Sequence, residues 1–216
     1  MTIVPDVLYF RATNRTGEMK IETRKRIAEL TSNILNPFLI SLVIIVLLSV
    51  ESASGIFNAI KWSLIPIAIG VLPVFLAALY LVRKGRLDGI FTAIRQQRTG
   101  IYLLAGVCAA LGYVVLLLAE APLMLRAAFA TGLAGIVIFM VINLWWKISL
   151  HTALVAALVI VLVIIYGWIA VTGVVFVPLV AWARTESKQH SLAQVAVGAV
   201  LAALIVGTGF YLSGLI

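Results

Sequence analysis

Residues 151–182 read HTALVAALVIVLVIIYGWIAVTGVVFVPLVAW and contain no Asp, Glu, Lys or Arg. A membrane-spanning helix needs about 20 apolar residues to cross about 30 Å of hydrocarbon. These 32 residues are too many for one span and just enough for two short ones. Tyr166-Gly167-Trp168 is the natural break, because glycine loosens a helix and aromatic side chains prefer the membrane interface. We therefore predict spans at about 149–166 and about 169–183.

The rest of the chain has the same apolar character. Of the 216 residues, 63% are hydrophobic and 11% are charged, and the mean hydropathy is +1.17. A soluble domain is about 45–50% apolar and about 25% charged, so a soluble enzyme, a nucleic-acid-binding domain and a disordered chain are excluded. Further apolar runs predict spans at about 36–50, 62–82, 100–119, 126–146 and 191–214. The expected fold is an all-α, polytopic transmembrane helical bundle of six to seven spans.

The basic residues are distributed unevenly over these spans. The net charge is +8, and with seven spans 14 of the 16 Lys and Arg residues fall on one side. The positive-inside rule places that side in the cytoplasm of a multi-pass cell-membrane protein. Residues 1–33 are predicted to form a basic amphipathic arm at the membrane surface, or a solvated helix docked on its own loops, with no secretory-signal pattern. Residues 34–216 form the transmembrane domain. The arm contains Arg11, Arg15, Lys20, Arg24, Lys25 and Arg26.

Two histidines are the candidates for chemistry. His151 and His190 each stand at the start of an apolar span, on the same predicted side. A lone histidine there is more often an interfacial polar residue, but these two have characteristic neighbours. The pattern reads Lys147-Ile-Ser149-Leu-His151, and then Arg184-(five)-His190-(three)-Gln194-Val195-(two)-Gly198. The single cysteine, Cys108, permits no disulfide within the chain and no Cys-based metal site.

This pattern resembles the type 2 phosphatidate phosphatase superfamily of integral membrane lipid phosphatases. Its three motifs are Lys-(six)-Arg-Pro, Pro-Ser-Gly-His and Ser-Arg-(five)-His-(three)-Asp, the last commonly followed by Val-x-x-Gly. The third motif is matched at Ala183-Arg184, His190, Val195 and Gly198, and the second at Ser149 and His151. Arg95 and Arg98 occupy the place of the first motif without its spacing. Gln194 replaces the family's Asp, and Ile148-Ser149-Leu150 replaces Pro-Ser-Gly.

The resemblance implies a six-helix phosphatase core and a role for each matched residue. His190 resembles the nucleophile that forms a phosphohistidine, and His151 the acid that protonates the leaving oxygen and later activates water. Ser149 would donate a hydrogen bond to phosphate, and Gln194 would orient His190. The chemistry would use no metal or other cofactor. Charge supports this assignment, because phosphoryl transfer depends on neutralising the phosphate, and the available cations are Arg184, Lys147, Arg98 and Arg95.

The expected function is hydrolysis of a lipid phosphate or diphosphate, whose tail lies in an apolar cleft while the basic face takes the headgroup. The partners would be membrane lipid and a substrate such as phosphatidate, a phosphatidylglycerol phosphate or a polyprenyl phosphate. One alternative is a catalytically weakened relative that binds or transports lipid phosphates, with Gln194 as its mark. Another is a small transporter whose two histidines line a polar path.

Overall fold

The computed structural model describes residues 21–216, and Arg11, Arg15 and Lys20 of the predicted arm lie outside the described residues. The described chain is helical apart from short loops and turns, and contains no strand. The helices are α1 (21–34), α2 (Pro37–Ser52), α3 (Ile56–Pro66), α4 (Leu72–Arg83), α5 (Arg95–Leu118), α6 (Leu123–Asn143), α7 (Leu150–Tyr166), α8 (Phe176–Glu186) and α9 (Leu192–Leu212).

Six helical segments in this part of the chain are long and apolar enough to cross a membrane. They are Ile21–Ser52, Ile56–Arg83, Arg95–Leu118, Leu123–Asn143, Leu150–Glu186 and Leu192–Leu212. The second of them is continuous because a short π-helix (Ile67–Val71) joins α3 to α4. The predicted all-α, multi-pass bundle is therefore confirmed.

The longest segment, Leu150–Glu186, is folded back on itself at Gly167. This residue ends α7 with a φ of +69°, in the left-handed region that suits glycine. The following 3₁₀ turns (Gly167–Val175) run back along α7, because a Cβ built on Gly173 would lie 3.8 Å from Val159. In a straight helix these two residues would be about 21 Å apart. The predicted break is confirmed, and the described chain passes along the bundle seven times.

Hydrogen bonds gather the loops that precede α5, α7 and α9 at one end of the bundle, called here the basic end. The amide of Asn143 donates to the carbonyl of Arg95, and Lys147 Nζ donates to the carbonyl of Gln189 at 2.7 Å. An ion pair of 2.8 Å between Arg24 and Glu186 brings α1 to the same end. The prediction that these loops share one side is therefore confirmed.

The opposite end of the bundle is closed by a cluster of apolar side chains. This far-end cluster comprises Leu48, Trp62, Leu116, Ala121, Leu125, Val161 and Phe210. Close helix contacts at glycines support it, since a Cβ on Gly112 would lie 2.6 Å from the ring of Phe129. In a membrane such contacts stabilise the bundle by van der Waals packing, because the lipid tails are as apolar as the side chains.

Candidate functional site

The first turns of α7 and α9 begin side by side at the basic end, each capped by a serine. The hydroxyl of Ser149 accepts from the amide of Thr152 at 3.5 Å, and the hydroxyl of Ser191 accepts from the amide of Gln194 at 3.3 Å. The amide of Ser149 donates to the carbonyl of Gln194 at 3.4 Å and joins the two helix starts. The caps therefore fix where each helix begins, and with it the positions of the two histidines.

Gly198 allows α9 to lie this close to α7. A Cβ at Gly198 would stand 2.7 Å from the carbonyl oxygen of Ser149 and 3.1 Å from Oγ1 of Thr152. The first of these atoms belongs to the backbone, so it cannot move aside as a flexible side chain could. The glycine in the tail of the third motif thus has a physical reason, which is the close approach of two helix starts.

Gln194 determines which nitrogen of His190 carries the proton. Its Oε1 accepts from the backbone amide of Ser191 at 3.2 Å and lies 3.1 Å from Nδ1 of His190. Because an N–H group already donates to this atom, it acts as the acceptor, and Nδ1 must carry the hydrogen. The other ring nitrogen, Nε2, is then unprotonated in the neutral imidazole and has a free lone pair.

The surroundings of His190 keep its ring neutral. Burial and then three neighbouring cations lower the pKa of this histidine to about 3, the cations being Arg98, Lys147 and Arg184. An ordinary histidine titrates near 6.5. At neutral pH the ring is therefore neutral, with hydrogen on Nδ1 and a free lone pair on Nε2, which is the form in which an imidazole can act as a nucleophile.

Two buried arginines lie beside the histidines and form no ion pair with any described carboxylate. Arg98 is 8% exposed and donates to the carbonyls of Thr92 and Ile148, at 2.9 and 3.1 Å. Arg184 is 6% exposed, and its Nε has no hydrogen-bond partner among the described residues. Both ion pairs of residues 21–216 lie elsewhere, since they involve Arg24 and Arg26. A buried cation without a counter-ion is costly, so this arrangement is typical of a site that binds an anion.

A cavity of about 370 Å³ opens among these groups and continues into the apolar interior. Arg98, His151, Arg184 and His190 line it at the basic end. Three polar atoms on residues that line the cavity are buried and have no partner among the described residues, namely Tyr102 Oη, His151 Nε2 and Arg184 Nε. Buried polar atoms are nearly always satisfied in folded proteins, so these three atoms indicate a ligand that is polar at this end.

Four of the predicted site residues do not line the cavity. Arg95 donates instead to the carbonyls of Asn143 and Leu144 at the end of α6. Ser149 is fully buried as the cap of α7, and Gln194 acts through His190. Lys147 is bound to the carbonyl of Gln189. Burial, and then the charges of Arg98 and Arg184, lower the pKa of Lys147. The ammonium group of Lys147 is therefore close enough to these two arginines to add to the positive charge around them.

Two residues of the cavity wall that contact or neighbour the polar groups, Tyr102 and Phe91, were not predicted from the sequence. Tyr102 lies one helical turn after Arg98 on the same face of α5, a spacing that could have pointed to it. Phe91, in the loop before α5, packs edge-to-face on the ring of His151 with centroids 4.9 Å apart. No periodic pattern marks a loop residue of this kind.

Among residues 21–216, no group of three or more His, Cys, Asp or Glu side chains could hold a metal ion. Comparisons with protein-family models, with curated proteins and with solved structures found no match to the chain.

Proposed function

We propose that the chain hydrolyses the phosphate or diphosphate ester of a membrane lipid through a phosphohistidine on His190, as members of the type 2 phosphatidate phosphatase superfamily do. The observation that carries the proposal is the pair of buried arginines, Arg98 and Arg184, which form no ion pair within residues 21–216 and line an apolar cavity together with His151 and His190. An anionic headgroup would supply negative charge next to the two arginines, and its apolar tail would fill the apolar part of the cavity.

In the first step the phosphate oxygens bind the two guanidinium groups, which can each hold two oxygens. The lone pair of His190 Nε2 attacks phosphorus, and the bond from phosphorus to the lipid oxygen breaks. His151 donates its proton to that oxygen, which leaves as the alcohol. The negative charge of the bound phosphate favours the protonated form of His151 before the transfer.

In the second step water releases the phosphate. His151, now neutral, takes a proton from water while the oxygen of that water attacks phosphorus. The bond from phosphorus to His190 Nε2 breaks, and inorganic phosphate forms. Throughout both steps Gln194 accepts from Nδ1–H and keeps the ring in one orientation.

The test is phosphate release by the purified chain from phosphatidate, phosphatidylglycerol phosphate and polyprenyl phosphates, without added metal and with a chelator. We expect release by the wild type and a loss of at least 10³-fold in His190→Ala, since a nucleophile is removed. Lys188→Ala is the matched control, because it removes an exposed cation from the same loop and should leave the rate unchanged. Equal rates for wild type and His190→Ala would rule out this nucleophile.

A second candidate is a protein that binds or transports lipid phosphates with little turnover. It is favoured by the neutral amide of Gln194, which accepts from Nδ1–H but cannot stabilise a positive imidazole as a carboxylate does. Gln194→Asp separates the two candidates, because a carboxylate can accept from both His190 and Ser191. A rise of 10-fold or more in the rate of phosphate release would mean that the wild type is a weakened enzyme. A fall in that rate would mean that the amide of Gln194 is suited to an active site.

We also propose that the basic end faces the cytoplasm, as the positive-inside rule predicts. The buried Cys108 gives little background for thiol labelling. In cells, the variant Lys188→Cys should react with a membrane-impermeant maleimide only after the membrane is permeabilised. Labelling of intact cells would mean that the basic end faces the outside of the cell, opposite to the proposed orientation.

A further inference from the structure

The cavity is a long pocket rather than a shallow site. It is lined along α7 from His151 to Val161 and along α6 from Phe139 to Leu125. With a rise of 1.5 Å per residue, these stretches are about 15 and 21 Å long. Half of the hydrocarbon thickness is about 15 Å, so the cavity reaches about as deep as one lipid leaflet.

The cavity ends at the far-end cluster. Leu48, Leu125 and Phe210 line it and belong to that cluster, and each is at most 1% exposed. The cavity therefore has a charged end, at the two arginines, and an apolar end at this cluster. Within residues 21–216, the arginine and histidine side chains that line the cavity lie at its basic end and its opposite end is apolar.

The volume limits what can enter. A water molecule occupies about 30 Å³ in the liquid, and a methylene group is of similar size. A cavity of about 370 Å³ thus has room for on the order of a dozen such groups. This is enough for one hydrocarbon chain of moderate length and too little for the two chains of a typical membrane phospholipid.

We infer that the bundle takes one hydrocarbon chain of about 12 carbons into its interior, with the phosphate at Arg98 and Arg184, and that the far-end cluster limits the length of that chain. The inference rests on the proposed function for the headgroup and adds a substrate class, the single-chain phosphate amphiphile. Any second chain must remain outside the bundle, in the bilayer. The chain can be alkyl or isoprenyl, since both are apolar and slender.

Gly132 provides the sharpest variant. It lines the cavity about halfway along the lined part of α6, and a Cβ built on it would meet no atom within 4 Å. A leucine at this position would therefore project into the cavity without disturbing the helix. Gly207 on α9 also has no atom within 4 Å of a built Cβ but does not line the cavity, so Gly207→Leu is the matched control.

The experiment measures binding of alkyl phosphonates with 4, 8, 12 and 16 carbons, whose carbon–phosphorus bond the proposed reaction does not break. A buried methylene contributes about 0.8 kcal/mol, which is up to about 4-fold in affinity per carbon. We expect affinity to rise with length and to level off near 12 carbons. In Gly132→Leu it should level off near 6 carbons, with at least a 100-fold loss for dodecyl phosphonate and none for butyl phosphonate. Gly207→Leu should behave as the wild type.

Farnesyl phosphonate, with 12 carbons along its main chain, tests the isoprenyl form of the ligand against dodecyl phosphonate. The tighter binder identifies the type of chain. Affinity that climbs equally to 16 carbons in all three proteins would mean that the chain lies outside the bundle, and absent binding of every phosphonate would also overturn the inference.

The two proposals fail in different ways. If Gly132→Leu shortens the preferred hydrocarbon chain but no lipid phosphate is hydrolysed, the proposed hydrolysis is wrong and the inference about the bound hydrocarbon is supported. If both glycine variants release phosphate at the same rate from substrates with short and long hydrocarbon chains, the proposed hydrolysis is supported and the inference about the bound hydrocarbon is wrong.

Discussion

Replacing Arg184 by methionine should make the anion-free protein more stable, although it removes part of the candidate site. Arg184 is buried, its Nε has no partner, and no carboxylate is paired with it among the described residues. Arg98 lines the same cavity and also carries a positive charge. In the absence of phosphate, Arg184 therefore carries the cost of burial and of repulsion without a compensating attraction.

The size of the effect follows from that imbalance. Replacing buried charges by apolar side chains of similar volume is often neutral or stabilises by about 1–4 kcal/mol. For a chain of this size, 1 kcal/mol corresponds to about 2–4 °C in melting temperature. We expect Arg184→Met to melt about 3–8 °C above the wild type in phosphate-free detergent buffer. Phosphate at 100 times its Kd should stabilise the wild type by about 2.7 kcal/mol and leave the variant unchanged.

The assay is thermal unfolding of both proteins in detergent, with and without inorganic phosphate. Lys188→Met is the control, because this exposed cation should affect neither melting temperature nor phosphate response. Two results together would refute the reasoning. These are a lower melting temperature for Arg184→Met without phosphate and an undiminished increase when phosphate is added, which would make Arg184 a structural residue.

Three further predictions concern His190 and the residues around it. His190 takes up a proton near pH 6.5 in the unfolded chain but only near its pKa of about 3 in the folded chain. The free energy of unfolding should therefore fall as the pH drops through this window, by up to about 1.4 kcal/mol per pH unit. In thermal melts, His190→Gln should flatten this decline between pH 7 and pH 5. Gly198→Ala should destabilise by about 1–3 kcal/mol and reduce phosphate release, whereas Gly207→Ala, with free space around its Cβ, should stabilise slightly; equal melting temperatures would contradict the close approach. Lys147→Met removes the bond to the carbonyl of Gln189 and should reduce phosphate release by 10-fold or more with less change in KM, and an unaltered rate would mean that this lysine does not position the loop.

The fold could largely be predicted from the sequence, because membrane spans follow from the length and charge of apolar runs. The break at Gly167 is an example, since glycine stands where a 32-residue run must turn. The position of the loops at one end of the bundle could also be predicted, because the basic residues are concentrated in every second loop between the spans. The predicted first span begins at residue 36 and the helix at Pro37, where Asn36 caps it.

The candidate site could be predicted only in part, because spacing along the chain does not give the direction of a side chain. Arg95 and Arg98 start the same helix, yet Arg98 lines the cavity while Arg95 binds the end of α6. This difference depends on how α5 is rotated against its neighbours. The unpartnered hydroxyl of Tyr102 emerges only when the neighbours of α5 are in place. Gln194, which looked like a plain departure from the motif, has a carbonyl held toward His190 by the amide of Ser191.

That last arrangement links the register of a helix to the chemistry of a ring. The same oxygen of Gln194 completes the capping box of α9 and accepts from His190. If α9 began one residue earlier or later, the cap and the orientation of the imidazole would be lost together. Ser191→Pro, which removes the backbone N–H that donates to Oε1 of Gln194, would therefore loosen that oxygen and allow His190 to change tautomer. In this chain the start of a helix and the tautomer of a buried histidine depend on a single atom.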